Sequence, residues 1–219
     1  MRIRYESILP LYWMLWKRWR EARFQRFRGL IADGRIGCLL DVGGVARDWF
    51  GRGEVVGEVH ALNLVASELT EVPSGSPLIR CLAGDGRRLD FADQSYEVVY
   101  SNSVIEHVGG LEDQAAFARE IRRVGKKIWV QTPAFECPVE PHYLGLFVHW
   151  LPQSWQWPLI RWTTFIGLSG AATTEGLRNI MKTTRLLRKK EFASLFPDCE
   201  IWVERLLWVF PKSYIAYRK

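Results

Sequence analysis

Cysteine is scarce in this 219-residue chain: four residues, Cys38, Cys81, Cys137 and Cys199, far apart and without a CxxC pair. That excludes a disulfide framework and a thiolate zinc site, and it fits small buried thiols in a reducing compartment. No stretch reaches the ~20 predominantly apolar residues of a membrane span. The nearest candidate, from Tyr143 to Leu168, is broken at its centre by Pro152, Gln153, Ser154, Gln156 and Pro158. Secretory-leader character is also lacking, because Lys17, Arg18 and Arg20 interrupt the aromatic N-terminus and no small-residue cleavage site follows. The expected location is cytoplasmic.

An excess of charge of either sign is missing from most of the chain. The net charge is +6. The first 28 residues hold eight basic residues against Glu6 and Glu21, whereas the other 191 hold 22 of each sign. A neutral body therefore carries a basic aromatic arm. That pattern excludes a uniformly basic nucleic-acid binder and leaves an arm suited to phosphate.

What is present is a β/α alternation. Residues from Tyr5 to Ile31 read as one helix, with Gly29 and Gly34 punctuating its end. Short apolar runs predict strands at Ile36 to Val42, Val55 to Leu64, Leu78 to Leu82, Tyr96 to Ser101 and Lys127 to Gln131. Helices are expected from Val45 to Phe50, Leu111 to Val124 and Lys189 to Phe196. Two late strands, Glu200 to Leu207 and Ser213 to Tyr217, lie close enough for a hairpin around Pro211. Such an order predicts a Rossmann-like α/β fold, with a mostly parallel sheet, helices on both faces and an antiparallel strand at the edge. The organisation is an arm over 1–34 and a main domain over 35–219, with a Trp-rich insert at 143–182.

In such sheets ligands bind beyond the carboxyl ends of the strands. Those ends read Asp41-Val42-Gly43-Gly44, then Asn63-Leu64, then Gly84-Asp85-Gly86-Arg87, then Ser101-Asn102. Glycines permit a tight turn and close approach of a ligand. Asn63 can both accept from and donate to ribose hydroxyls. Asp85 between two glycines suits an exocyclic amine, although Asp-Gly is also an ordinary turn. His107 follows the fourth strand and has a pKa suited to proton transfer, while Glu140 and His142 follow the fifth and form a candidate general-base pair. One His and two Glu after the fifth strand match no metal-ligand spacing, so no metal is expected.

The segments LLDVGG, GDGRRLDFADQSYEVVYSNSVIEHV and KKIWVQTP together resemble a class I S-adenosylmethionine-dependent methyltransferase of the broad small-molecule (type 11) group. The resemblance spans roughly Ile36 to Val130. It implies a seven-stranded sheet with the last strand antiparallel, and S-adenosylmethionine as cofactor. It places Asp41, Gly43 and Gly44 by the methionine part, Asn63 and Leu64 at the ribose, and Asp85, Gly86 and Arg87 by the adenine. Ser101 and Asn102 fall below the sulfonium. The chain departs from the family pattern at Val45 and Arg47, where further glycines are usual, and at Asn63, where an acid is usual.

The implied activity is in-line methyl transfer to a small-molecule or lipid-linked acceptor at oxygen (EC 2.1.1.-), with His107, Glu140 and His142 as candidates for moving the proton. SNSV at residues 101–104 replaces the Pro-Pro-aromatic signature of N-methylating relatives. A nicotinamide oxidoreductase is disfavoured by the lack of GxGxxG. The alternative is a methyltransferase-like protein that binds a partner or the membrane without turnover. Seven of the eleven tryptophans fall in the arm (Trp13, Trp16, Trp19) and the insert (Trp150, Trp155, Trp157, Trp162). Both segments are expected to cover the substrate, and the arm to meet an anionic membrane on its inner face. Nucleic acid is not an expected partner.

Overall fold

The computed structural model describes residues 5–32, 34–66, 68, 69, 71–169 and 173–219, and side chains for these apart from 5–16, 153, 169 and 174. Helix α1 (Tyr5–Leu30) is followed by strands β1 (Ile36–Val42), β2 (Val56–Asn63), β3 (Leu78–Ala83) and β4 (Tyr96–Asn102). Helix α2 (Leu111–Val124) leads into β5 (Gly125–Pro133). The insert comprises the two-residue strands β6 (Val139–Glu140) and β7 (Gly145–Leu146), then α3 (Gln153–Thr163), α4 (Phe165–Ser169) and α5 (Thr174–Thr183). Helix α6 (Lys189–Leu195) and the hairpin β8 (Glu200–Leu206) and β9 (Phe210–Arg218) complete the chain.

The seven-stranded sheet has the order β3-β2-β1-β4-β5-β9-β8. Strands β1 to β5 are parallel, while β9 runs antiparallel between β5 and β8. The chain order reverses between β1 and β4, so a crevice opens there at the carboxyl ends of the strands. The expected sheet, including its antiparallel edge, is the one observed.

Two apolar layers sandwich the sheet. On one face Phe117, Ile121 and Val124 of α2 and Phe192 of α6 pack on Val99, Ile128 and Tyr214. On the other face Phe24 and Phe27 of α1, with Ile31 just past its end, meet Leu39, Val98, Trp129 and Ile215. Positions 24, 27 and 31 recur at helical spacing and form one stripe. Full burial of a side chain such as Phe27 stabilises by roughly 1.5–3 kcal/mol. The distal half of α1 is thus a structural layer of the sheet, and the boundary at residue 34 does not separate two cores.

Three local expectations change. The helix expected from Val45 to Phe50 is one 3₁₀ turn, Ala46–Trp49. Only a few residues lie between Gly44 and Gly51, whose φ of 72° ends the turn, too few to nucleate an α-helix. The hairpin turn falls at Leu207 to Val209 rather than around Pro211, which sits in β9 opposite Arg205 beside a register shift. Proline has no N–H for the ladder and is tolerated where pairing is irregular. Finally, among the described residues the β1–β2 and β2–β3 links form no α-helix on the sheet face under α1, and α1 itself supplies that layer.

Candidate active site

Gly43, at the end of β1, has φ of 77°, and a Cβ there would lie 2.5 Å from Val104. A Cβ on Gly86 would lie 2.5 Å from Phe117. Both glycines keep the floor of the crevice open. The resulting cavity measures about 570 Å³ and is lined by Gly43, Asn63, Leu64, Asp85, Arg87 and His107, among others. Six positions expected at the cofactor (Gly43, Asn63, Leu64, Asp85, Gly86 and Arg87) therefore line one cavity.

Hydrogen bonds set what each can do. The Asn63 amide donates to the Gly44 carbonyl at 3.0 Å, which clamps the glycine turn. Asp85 accepts from the Arg87 guanidinium through both oxygens, and Arg87 also reaches Asp113 at 2.9 Å. These bonds hold the Asp85 carboxyl below the usual carboxylate range.

Asp41 and Ser101 turn into the protein and line neither wall. Ser101 is fully buried and donates to the Val42 carbonyl at 2.9 Å, tying β4 to β1. Asp41 accepts from the Trp49 indole at 2.7 Å through Oδ2, and its Oδ1 has no partner. Burial pushes its pKa up to about 7, partly opposed by the Trp49 hydrogen bond. A Cβ on Gly44 would overlap the Asp41 carboxylate, which explains a glycine beside it.

Asn102 faces α1. Its Oδ1 accepts from Arg23 Nη1 at 2.7 Å, in a small recess that Arg20 and Arg52 also line. Arg23 donates as well to Glu204 at 2.8 Å, and Lys212 joins the same carboxylate at 3.0 Å.

A second cavity of about 330 Å³ adjoins the first and is largely apolar. Trp19, Pro133, Val139, Leu144, Phe165 and Leu206 supply apolar wall, with Arg23 and Lys212 at the polar end. Ser103 lines both cavities. Its φ of 57° is unusual for a residue with a side chain, and its hydroxyl donates to Gln131 Oε1 at 2.9 Å. Strained backbone of this kind is commonest at functional positions. Nothing in the sequence separates Ser103 from Ser101. Arg23 and Lys212 are also newly placed, because their proximity requires α1 and β9 to meet across the sheet.

The three proton-transfer candidates come together. His142 Nδ1 donates to Glu140 Oε1 at 2.5 Å, and the Nε2 atoms of His142 and His107 lie 3.1 Å apart. Glu140 also accepts from the backbone amides of His142 and Tyr143. Burial lowers the His107 pKa, and the neighbouring His142 adds to that. Burial also disfavours charge on His142, but the hydrogen bond and charge of Glu140, with Glu106, outweigh it and raise its pKa.

Residues 35–127 match a family described as a methyltransferase domain. Among solved structures, the chain is similar to an S-adenosylmethionine-dependent methyltransferase from Methanosarcina mazei, at 14% identity and a TM-score of 0.52 over 85% of this chain and 93% of that one. It is also similar to one from Aquifex aeolicus, at 12% identity and a TM-score of 0.50 over 90% and 88%. At these identities the likeness establishes the fold. No curated protein matches the sequence.

Proposed function

We propose that residues 35–127, which match a methyltransferase-domain family, form a class I, S-adenosylmethionine-dependent methyltransferase domain, with the crevice at Gly43 and Asn63 binding S-adenosylmethionine and the adjoining apolar cavity holding the methyl acceptor. The observation that carries this reading is that both cavities meet at Ser103. When bound, S-adenosylmethionine supplies a methyl group on a sulfonium, an electrophile that needs alignment more than activation.

The residues fit that ligand. A Cβ on Gly43 or Gly86 would collide with Val104 or Phe117, which line the crevice, so both positions need glycine to keep its shape. Asn63 gives its amide to Gly44 and keeps its carbonyl oxygen for a ribose hydroxyl. Holding two reactants in line can contribute about 7–11 kcal/mol toward the barrier. The largely apolar wall of the second cavity suits an apolar or lipid-linked acceptor. An oxygen acceptor needs a proton removed, and the cluster that His107 forms with His142 and Glu140 borders the crevice where that would occur.

Membrane docking belongs to the same reading. Among the described residues no helix is long and apolar enough to cross a membrane. The β8–β9 turn, however, presents Leu207, Trp208, Val209 and Phe210 to solvent, with Trp208 93% exposed. Leu206 and Lys212, which flank this tip, line the acceptor cavity, and Trp155 and Trp162 of α3 are also exposed. Exposed apolar side chains beside a cavity, together with exposed Lys17 and Arg18 of α1, suit an anionic interface. Trp13 and Trp16 lie outside the described side chains.

The test is thermal denaturation with S-adenosylhomocysteine, followed by labelled-methyl transfer to fractionated extract. A rise in Tm that Gly43→Val abolishes, with label entering the lipid fraction, is the expected result. No Tm shift at millimolar ligand would overturn the reading. Cofactor binding without transfer to any fraction would favour the binding-only alternative.

A further inference from the structure

Glu106, His107 and His142 offer ligand atoms that all lie within 4.8 Å of one another. His107 and His142 are 35 residues apart and approach through Nε2, the two rings standing nearly perpendicular at 88°. Each Nδ1 is directed elsewhere, His142 to Glu140 at 2.5 Å and His107 to the Thr184 hydroxyl at 3.4 Å. With Nδ1–H donating to a carboxylate, a neutral His142 carries its lone pair on Nε2, the atom that faces His107. Carboxylate-to-histidine-to-metal relays have this arrangement.

Glu106 supplies the third group. It is fully buried, accepts from Thr132 Oγ1 at 3.0 Å through Oε2, and leaves Oε1 without a partner. An unpartnered buried carboxylate oxygen beside two imidazoles is unfavourable unless a proton or a cation satisfies it. We propose that Glu106, His107 and His142 form a divalent transition-metal site of the zinc type, with Glu140 as the outer carboxylate that orients His142. Two imidazoles and one carboxylate are a recognised three-ligand set that leaves a coordination position for an oxygen.

Linear spacing hides this set. Glu106 and His107 follow β4, whereas His142 lies between β6 and β7, so only the folded chain brings them together. His107 also lines the cofactor crevice, so one member of the set borders it. An ion there can polarise an acceptor hydroxyl and favour loss of its proton. That role rests on the proposed methyl transfer; ion binding does not.

The experiment uses the full chain, purified without a histidine tag, stripped with chelator and titrated with Zn²⁺ or Co²⁺ alone. One ion per chain is expected by elemental analysis, with visible absorption from bound Co²⁺ characteristic of a four-coordinate site. His142→Ala is expected to lose that absorption, and Glu140→Gln to weaken ion binding by about 10–100-fold. Circular dichroism establishes that each variant is folded. Absence of stoichiometric metal and of the Co²⁺ absorption in the wild-type chain overturns the proposal, as does an unchanged spectrum in folded His142→Ala. Because no cofactor is added, these outcomes stand apart from any failure to bind S-adenosylhomocysteine.

Discussion

Arg23 of α1 donates to Asn102 at the end of β4 and to Glu204 of β8, 181 residues further along the chain, at 2.7 and 2.8 Å. Side-chain exposure is 7% for Arg23 and 10% for Glu204, so this ion pair is well removed from water. Removing Arg23 leaves the buried Glu204 carboxylate with Lys212 as its remaining ion-pair partner and leaves Asn102 Oδ1 without its donor. Arg23→Ala is expected to destabilise the fold by about 1–3 kcal/mol, read from urea denaturation. A loss below ~1 kcal/mol would mean that water replaces the guanidinium.

Phe27 is fully buried and meets Trp49, Tyr100 and Trp129 edge-on, at centroid distances of 6.4, 5.2 and 5.6 Å. Phe27→Ala is expected to cost about 3–5 kcal/mol by the same measurement. A surface change on the same helix, such as Gln25→Ala, is expected to stay within about 0.5 kcal/mol.

Asp41 gives stability a pH dependence of defined sign. Its pKa stands at about 7 in the folded chain, chiefly because burial disfavours the carboxylate, against 3.8 ordinarily. The folded state therefore holds its proton more tightly than the unfolded state. The contribution is fully present below the ordinary value, falls as pH rises toward 7, and is flat above that. Three pH units correspond to on the order of 4 kcal/mol. Asp41→Asn is expected to flatten this part of the profile, measured as urea midpoints across the window. An identical slope in wild type and variant would assign the titration elsewhere.

Asn63→Ala removes the clamp on Gly44 without opening a large cavity. One neutral hydrogen bond contributes about 0.5–1.5 kcal/mol, so S-adenosylhomocysteine binding is expected to weaken roughly 2- to 13-fold by calorimetry. Unaltered affinity would show that Asn63 neither shapes the turn nor meets the ribose.

Trp208 makes a separable probe of membrane docking. At 93% exposure its replacement by serine is expected to leave Tm unchanged while reducing flotation with anionic liposomes. Equal flotation of Trp208→Ser and wild type would remove the hairpin tip from the docking surface.

Periodicity and glycine placement made much of this architecture legible. Ile36–Val42 and Leu111–Val124 have the bounds expected of them, because each is a strongly patterned run closed by glycine. The crevice was legible through Gly43, Asn63 and Asp85, since strand ends in such a sheet converge on one edge. Ser103 was not, because its φ of 57° follows from the path between β4 and the following loop rather than from its identity. Nor was the role of α1. Its charge suggested an appended arm, but Phe24 and Phe27 count as core only once the described residues of the adjacent crossovers are known to form no α-helix. The meeting of His107 with His142 depends on the β6–β7 hairpin, whose two-residue strands carry no periodicity to read.

The span between Arg23 and Glu204 also has a consequence in time. A ribosome makes α1 early and β8 with β9 some 180 residues later. Until then Phe24, Phe27 and the buried guanidinium lack Ile215 and Glu204, which complete their surroundings. Such distant contacts form late, because chain closure must come before they stabilise anything. The aromatic helix is therefore an unsatisfied surface through most of synthesis, and holding it out of trouble falls to whatever it meets before its own C-terminal strands arrive.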